Sequence, residues 1–200
     1  MNHFDCFKNA RNVVVEMLED RGFIVNDEYK NVDDETLKYL YYIKSYDIFC
    51  KEHVKDNTKI YAKFIYTAKI KPTIFKEYIT TLFSETLNPE QDKIILILQE
   101  NPSKTLVKIA ASFKNCEIFN INNLQINITK HSLVPKHSLI SETEVNELTE
   151  KYNLSSIYQL PVISRQDPIV RYYNFPSNRV CKIVRYSKTS VEHIFYRYIK

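Results

Sequence analysis

The chain has 200 residues, of which 44% are hydrophobic and 13% aromatic; this excludes a disordered tail and leaves room for one large domain or two modest ones. Its longest unbroken aliphatic run, Ile94 to Leu98, falls far short of the roughly 20 apolar residues of a spanning helix, so a soluble protein without membrane contact is expected. The formal charge of +4 is uneven: residues 1–130 carry 18 Lys or Arg and 18 Asp or Glu, whereas residues 131–200 carry 10 and 6.

The first residues lack the basic-then-apolar order of a signal peptide, so an intracellular protein is expected. Phe4 to Arg21 predicts a helix, with Phe4, Phe7, Val14 and Leu18 on one apolar face. Gly22, the chain's one glycine, stands where a left-handed C-cap is needed, and Phe23 is placed to fold back on the helix. A second helix starts near Asp33, with Asp33, Asp34 and Glu35 at its positive end and Leu37, Leu40, Tyr41, Lys44 and Ile48 along its stripe. Residues 59–71 alternate: Ile60, Ala62, Phe64, Tyr66, Ala68 and Ile70 against Lys63, Thr67, Lys69 and Lys71, which predicts a half-buried strand. Pro72 opens a helix through Phe75, Ile79, Leu82 and Phe83.

A β-α-β pattern follows. "KIILILQ" (93–99) is a strand covered on both faces; Asn101-Pro102 reads as cap and first residue of a helix bearing Leu106, Val107, Ile109, Ala110 and Phe113; "CEIFNI" (116–121) is the returning strand. Asn122-Asn123 predicts a tight hairpin into a last strand carrying Leu124, Ile126 and Ile128. Beyond residue 130 the style changes. Ser141 and Glu144 form a capping-box pattern before Val145, Leu148 and Tyr152. Asp167-Pro168 starts another short helix, and 180–185 and 193–199 read as strands. The expected division is an α/β domain over 1–130 and a small α+β domain with antiparallel strands over 131–200.

Catalytic and metal chemistry find little support. The four cysteines are widely spaced in apolar segments and read as buried free thiols. In "HSLVPKHSL" (131–139), His131 and His137 are six apart around Pro135, without nearby further ligands, so they read as backbone-bonding residues of a stiff connector. One glycine cannot build a phosphate-cradling loop. Asp92 and Glu100 flank the 93–99 strand as nuclease carboxylates would, but no matching acid-and-lysine pair stands out. No cofactor, metal or small-molecule substrate is expected. The C-terminal cations, Arg165, Arg171, Arg179, Lys182, Arg185, Lys188, Arg197 and Lys200, can face phosphate or an acidic protein surface.

"HSLVPKHSLISETEVNELTEKY", "QLP", "DPIVRYY", "VCKIVRYSKTS" and "YRYI" occur in that order to the C-terminus. Together they resemble the fifth subunit shared by eukaryotic nuclear RNA polymerases, whose C-terminal part corresponds to the archaeal H subunit. The resemblance covers residues 131–200. It continues loosely upstream through "DRGF" (20–23) and "EIFNINNLQINITKH" (117–131). Departures are Val162 where the family usually has Arg, Asn174 and Asn178 where it has glycines, and "SKTSV" (187–191) for its S-E-T-A-G. The Asn substitutions predict positive φ at Asn174 or Asn178.

The resemblance implies a non-catalytic subunit with an N-terminal jaw domain near downstream duplex DNA and a C-terminal assembly domain on the largest polymerase subunit. On that basis His131, Pro135, Lys136 and His137 are connector candidates. Arg171, Tyr172, Arg179, Lys182, Arg185 and Tyr186 are docking candidates, Arg and Tyr being favoured interface anchors. In the charge-balanced N-terminal part, Lys104 and Lys108 are the candidates for DNA contact. A nuclear location is implied for a cellular protein, and a virion or cytoplasmic factory for a viral one.

Overall fold

The computed structural model describes residues 3–44, 47–67, 70–186 and 191–200. The chain forms two compact units, Met1–Ile126 and Asn127–Lys200.

The first unit opens with α1 (His3–Asp20). Its end is the predicted one: Gly22 N donates to Glu19 O at 2.8 Å, Phe23 N donates to Leu18 O at 3.0 Å, and Gly22 has φ of +90°. A Cβ at Gly22 would lie 3.0 Å from His53 Nε2, so a side chain there would crowd the His53 ring as well as strain the backbone. After the short α2 (Asp27–Lys30) comes α3 (Asp34–Ile43), capped by Asp33, whose carboxylate accepts from Thr36 N at 3.0 Å. This helix is shorter than its apolar stripe suggested. Lys44 turns to φ of +55°, and Ile48 belongs to a strand.

The sheet follows: β1 (Ile48–Cys50), β2 (Ile60–Ile65), β3 (Lys93–Leu98) and β4 (Cys116–Asn120), in that spatial order, with α4 (Pro72–Glu85) and α5 (Lys104–Ala111) as crossovers. β1 runs antiparallel to β2; β2, β3 and β4 are parallel. Ile94, Leu96 and Leu98 pack with Phe75 and Ile79 of α4 and Leu106 and Ala110 of α5. Ile95 and Ile97 point the other way, beside Ala62 and Phe64 of β2. Phe64 meets Phe7 of α1 edge to face at 5.6 Å. Helices thus cover both faces, as the continuous apolar run of β3 requires.

Three expectations are corrected. The strand predicted over 59–71 ends at Ile65; it is half-buried as expected, with Ile60, Ala62 and Phe64 buried and Tyr61 and Lys63 on the other face partly exposed; Ala68 and Lys69 lie outside the described residues. The cap of α5 is Ser103, whose Oγ accepts from Leu106 N at 3.3 Å, while Asn101 Oδ1 accepts from Asn120 Nδ2 at 2.8 Å. The hairpin at Asn122-Asn123 and the strand after it do not form. Asn120 Oδ1 accepts from Asn122 N at 2.7 Å, and Asn127 Oδ1 from Thr129 N at 3.0 Å. These Asx turns wind Ile121–Leu124 and Ile128–Lys130 into 3-10 turns.

The second unit contains β5 (Lys136–Leu139), α6 (Glu142–Lys151), β6 (Val162–Ile163), α7 (Pro168–Tyr173), β7 (Val180–Arg185) and β8 (His193–Ile199). The sheet order is β5-β7-β8-β6, antiparallel except that β6 runs parallel to β8. Ser141 and Glu144 close the predicted capping box on α6, with Ser141 N donating to Glu144 Oε2 at 2.8 Å. Asp167 caps α7, with Pro168 as its first residue. Cys181 and Ile183 of β7 pack with Val170, Phe175 and Ile199 on one face; Val180 packs with Ile140 and Leu148 on the other.

Asn174 and Asn178 both have positive φ, +51° and +64°, as their replacement of family glycines predicts. Asn174 ends α7, donating its N–H to Arg171 O at 3.1 Å. Asn178 does more than a glycine could: its Oδ1 accepts from the Tyr198 hydroxyl, tying the turn before β7 to the end of β8. Asn153 takes the same conformation after α6.

Candidate interaction surface

The connector around "HSLVPKHSL" is built from local bonds. His131 Nδ1 accepts from Leu133 N at 3.2 Å, and Val134 N donates to His131 O at 2.9 Å, forming a compact turn. Pro135 ends it, and its carbonyl lies 2.7 Å from His137 Nδ1. Lys136 and His137 are not in a loop, however; they begin β5, opposite Val184 and Ile183 of β7. Alternation puts exposed Lys136 on one face of the sheet and half-buried His137 on the other.

The docking candidates divide sharply by environment. Tyr172 is buried, and its hydroxyl accepts from Asn127 Nδ2 at 3.0 Å, so it holds this unit together and offers little to a partner. Arg171 is half-buried in the last turn of α7. Arg179 donates to Glu142 Oε1 at 3.2 Å, joining the start of β7 to the first turn of α6. The carboxylate of that pair is largely solvated, so the bond contributes little to stability. Lys182 stands opposite Tyr196 and Ser138, on the face where Glu144 lies. The Glu144 carboxyl is held below its usual range, first by the backbone and side-chain bonds from Ser141 and to a smaller degree by the charge of Lys182.

Arg185 and Tyr186 stand apart from these. They lie at the end of the β7–β8 hairpin, both exposed, and Ser187–Ser190, with Lys188, lie outside the described residues. The register pairs Arg185 with His193, Val184 with Ile194 and Ile183 with Phe195. The Arg185 guanidinium sits over the Phe195 ring at 6.0 Å, and the His193 ring meets it edge-on at 4.4 Å. Phe195 is nevertheless 40% exposed, Ile194 38% and Tyr186 75%. The packed clusters involving α6 and α7 reach Ile183 and Tyr196 but do not include Val184 or Ile194. An end of the hairpin thus presents apolar groups on both faces, among cations. Large apolar groups beside Arg are what a protein interface uses, because they bring area and donors at low entropic cost.

The composition pointed to Arg and Tyr but missed Ile194, Phe195 and His193, which share this surface.

In the first unit, Lys104 and Lys108 are both exposed on α5, one turn apart, Lys104 next to the Ser103 cap and Lys108 in the last turn. Asp92 is buried, accepting from Lys59 N at 2.8 Å and Asn88 N at 2.7 Å, which gives it a structural task. Burial pushes the Cys50 and Cys181 thiols up to about 11 and that of Cys116 to about 12, which makes them poor nucleophiles.

Among known proteins, the family "RNA polymerase Rpb5, C-terminal domain" matches residues 126–199. Across almost the whole chain, similarity extends to DNA-directed RNA polymerases IV and V subunit 5B of Arabidopsis thaliana, 31% identical over 96% of this chain and 90% of that protein. DNA-directed RNA polymerases I, II, and III subunit rpabc1 of Dictyostelium discoideum is 31% identical over 98% of each chain. The Caenorhabditis elegans counterpart, subunit RPABC1, is 28% identical over 94% of this chain and 93% of its own.

Proposed function

The chain belongs to the Rpb5 family of non-catalytic DNA-directed RNA polymerase subunits, and from that premise we propose that it is a transcription subunit which docks on the largest polymerase subunit through its C-terminal unit. The second unit is then the assembly domain and the first the jaw domain, with a place of action that is the polymerase's own, the nucleus. The observation that carries the docking assignment is the open end of the β7–β8 hairpin. It exposes Tyr186, Ile194 and Phe195 beside Arg185, inside the segment matched by the family model. Arg185 and Tyr186 are the docking residues retained from the sequence, joined by Ile194 and Phe195; Arg179, Lys182 and Arg171 sit nearer the covering helices and shape the surface.

For the first unit we assign a role beside downstream duplex DNA, with Lys104 and Lys108 as its contacts. Their solvated positions on α5, Lys104 beside the helix N-terminus and Lys108 in the last turn, support this reading. Because the unit is charge-balanced, this contact gains strength only inside the assembled enzyme.

The test is affinity purification of the tagged full-length chain from its source cells, with mass spectrometry of what accompanies it. The two large polymerase subunits are expected at stoichiometric yield in moderate salt. A chain recovered without polymerase subunits, while itself binding duplex DNA tightly, would overturn the assignment.

A further inference from the structure

β8 is covered unequally along its two edges. β7 pairs with it from His193 to Tyr198, but β6 pairs with it only at Tyr198 and Ile199. Two bonds fix which groups point where. Ile199 N donates to Arg179 O at 2.9 Å on the β7 side, and Tyr198 N donates to Pro161 O at 2.9 Å on the β6 side. Counting back by twos, Ile194 and Tyr196 direct their N–H and C=O groups away from β7. Pro161 has no N–H to offer, so the β6 ladder stops there. Among the described residues no backbone group pairs with Ile194 or Tyr196 on that side.

The opposite edge of the same sheet is protected. β5 has only four residues, follows Pro135, carries exposed Lys136, and has the His137 ring turned back onto the Pro135 carbonyl. Those are the devices by which a sheet avoids unwanted pairing. The edge at Ile194–Tyr196 carries neither proline nor lysine among the described residues; Ile157 and Leu160 pack in the same cluster as Tyr196 at one end of it, while Ile194 and Phe195 stand exposed at the other.

We propose that an extended segment of the largest polymerase subunit adds as a strand to this edge, between His193 and Arg197. The inference rests on the docking role assigned above to the C-terminal unit. The two faces specify the occupant. One carries His193, Phe195 and Arg197, with Arg185 across β7; the other carries Ile194 and Tyr196. The added strand therefore places acidic residues on the first face and apolar residues on the second. Main-chain bonds supply the grip, and the alternation supplies the selectivity.

The experiment uses the full-length chain and the co-expressed largest subunit. Ile194→Pro removes an outward N–H and sets a ring in the path of the incoming strand, without touching the bonds to β7. It is expected to weaken binding by about tenfold or more while the free chain keeps its melting temperature. In the wild-type complex, the Ile194 and Tyr196 amides are expected to exchange at least about tenfold more slowly than in the free chain. If Ile194→Pro compromises the fold, amide exchange in the wild type decides alone. Unchanged exchange at both amides, together with loss of binding in Phe195→Ala, overturns strand addition and leaves docking by side chains. Normal binding by Ile194→Pro, Phe195→Ala and Arg185→Glu alike overturns both readings. Protection of the edge in a dimer of this chain, without the polymerase subunit, would also overturn the proposal.

Discussion

In the first unit, β3 lies between helices on both faces, and its residues Ile94 to Ile97 are at most 1% exposed. In the second, β8 buries Tyr198 and Ile199 at one end and leaves Ile194 and Phe195 in solvent at the other. The charges divide in the same way. Residues 1–130 carry 18 cationic and 18 acidic side chains, whereas from residue 165 onward there are eight Lys or Arg against two Asp or Glu. A parallel sheet closed on both faces is complete in itself. An antiparallel sheet whose hairpin outruns its helices holds surface in reserve, and the docking role proposed above draws on that surface.

The sharpest way to break this comparison is to truncate one phenylalanine in each unit. Phe75 is fully buried between α4 and the sheet, so Phe75→Ala is expected to cost about 3–5 kcal/mol in denaturant unfolding. Phe195→Ala should cost less than about 1 kcal/mol, because much of its ring is already wet, yet weaken binding to the largest subunit. Equal stability losses at the two sites would remove the distinction.

A smaller effect separates conformation from bonding at Asn178. Asn178→Val forces a β-branched residue to positive φ and removes the acceptor of the Tyr198 hydroxyl, for a loss of about 1–2 kcal/mol from the backbone alone. Asn178→Gly keeps the backbone and forfeits only the hydrogen bond, about 0.5–1.5 kcal/mol. A glycine variant more stable than the wild type would show that the side-chain bond contributes nothing.

The smallest effect is common to both units and reads in alkaline solution. Burial raises the Cys116 and Cys181 thiols to about 12 and about 11, above an unfolded value of about 8.5. Each thus contributes stability that is fully present below the unfolded value and is lost as pH rises through the folded one. Unfolding free energy should decline above about pH 8.5, and Cys116→Ser with Cys181→Ser should flatten that decline. A pH dependence unaffected by the double variant would assign it to other groups.

Much of this fold was legible. Long periodic segments gave α1 and α4, and the apolar run at 93–98 gave the central parallel strand, because burial on both faces leaves no room for polar alternation. Punctuation was legible where one side chain decides it, as at Gly22, Asp33, Ser141 and Pro168. Illegible were places where Asn competes with the ladder. Leu124, Ile126 and Ile128 alternate like a strand, yet Ile126 is 71% exposed because the Asn120 and Asn127 side chains take the backbone bonds a strand would need. β1 and β6, of three and two residues, carry no periodicity to read. At the candidate surface, residue type revealed Arg185 and Tyr186. It could not separate them from buried Tyr172, since both tyrosines sit in basic, aromatic stretches and only the packing of α7 tells them apart.

The most direct measurement compares affinity for the largest subunit with affinity of the assembled polymerase for duplex DNA, in full-length Arg185→Glu and in the Lys104→Glu, Lys108→Glu double variant. We expect Arg185→Glu to weaken subunit binding by about tenfold, or about 1.4 kcal/mol, and the double variant to leave subunit binding intact while lowering DNA affinity. The contradicting result is Arg185→Glu with unchanged subunit affinity, reduced DNA affinity and a shallower salt dependence; it would make the hairpin a phosphate-binding surface rather than a docking one.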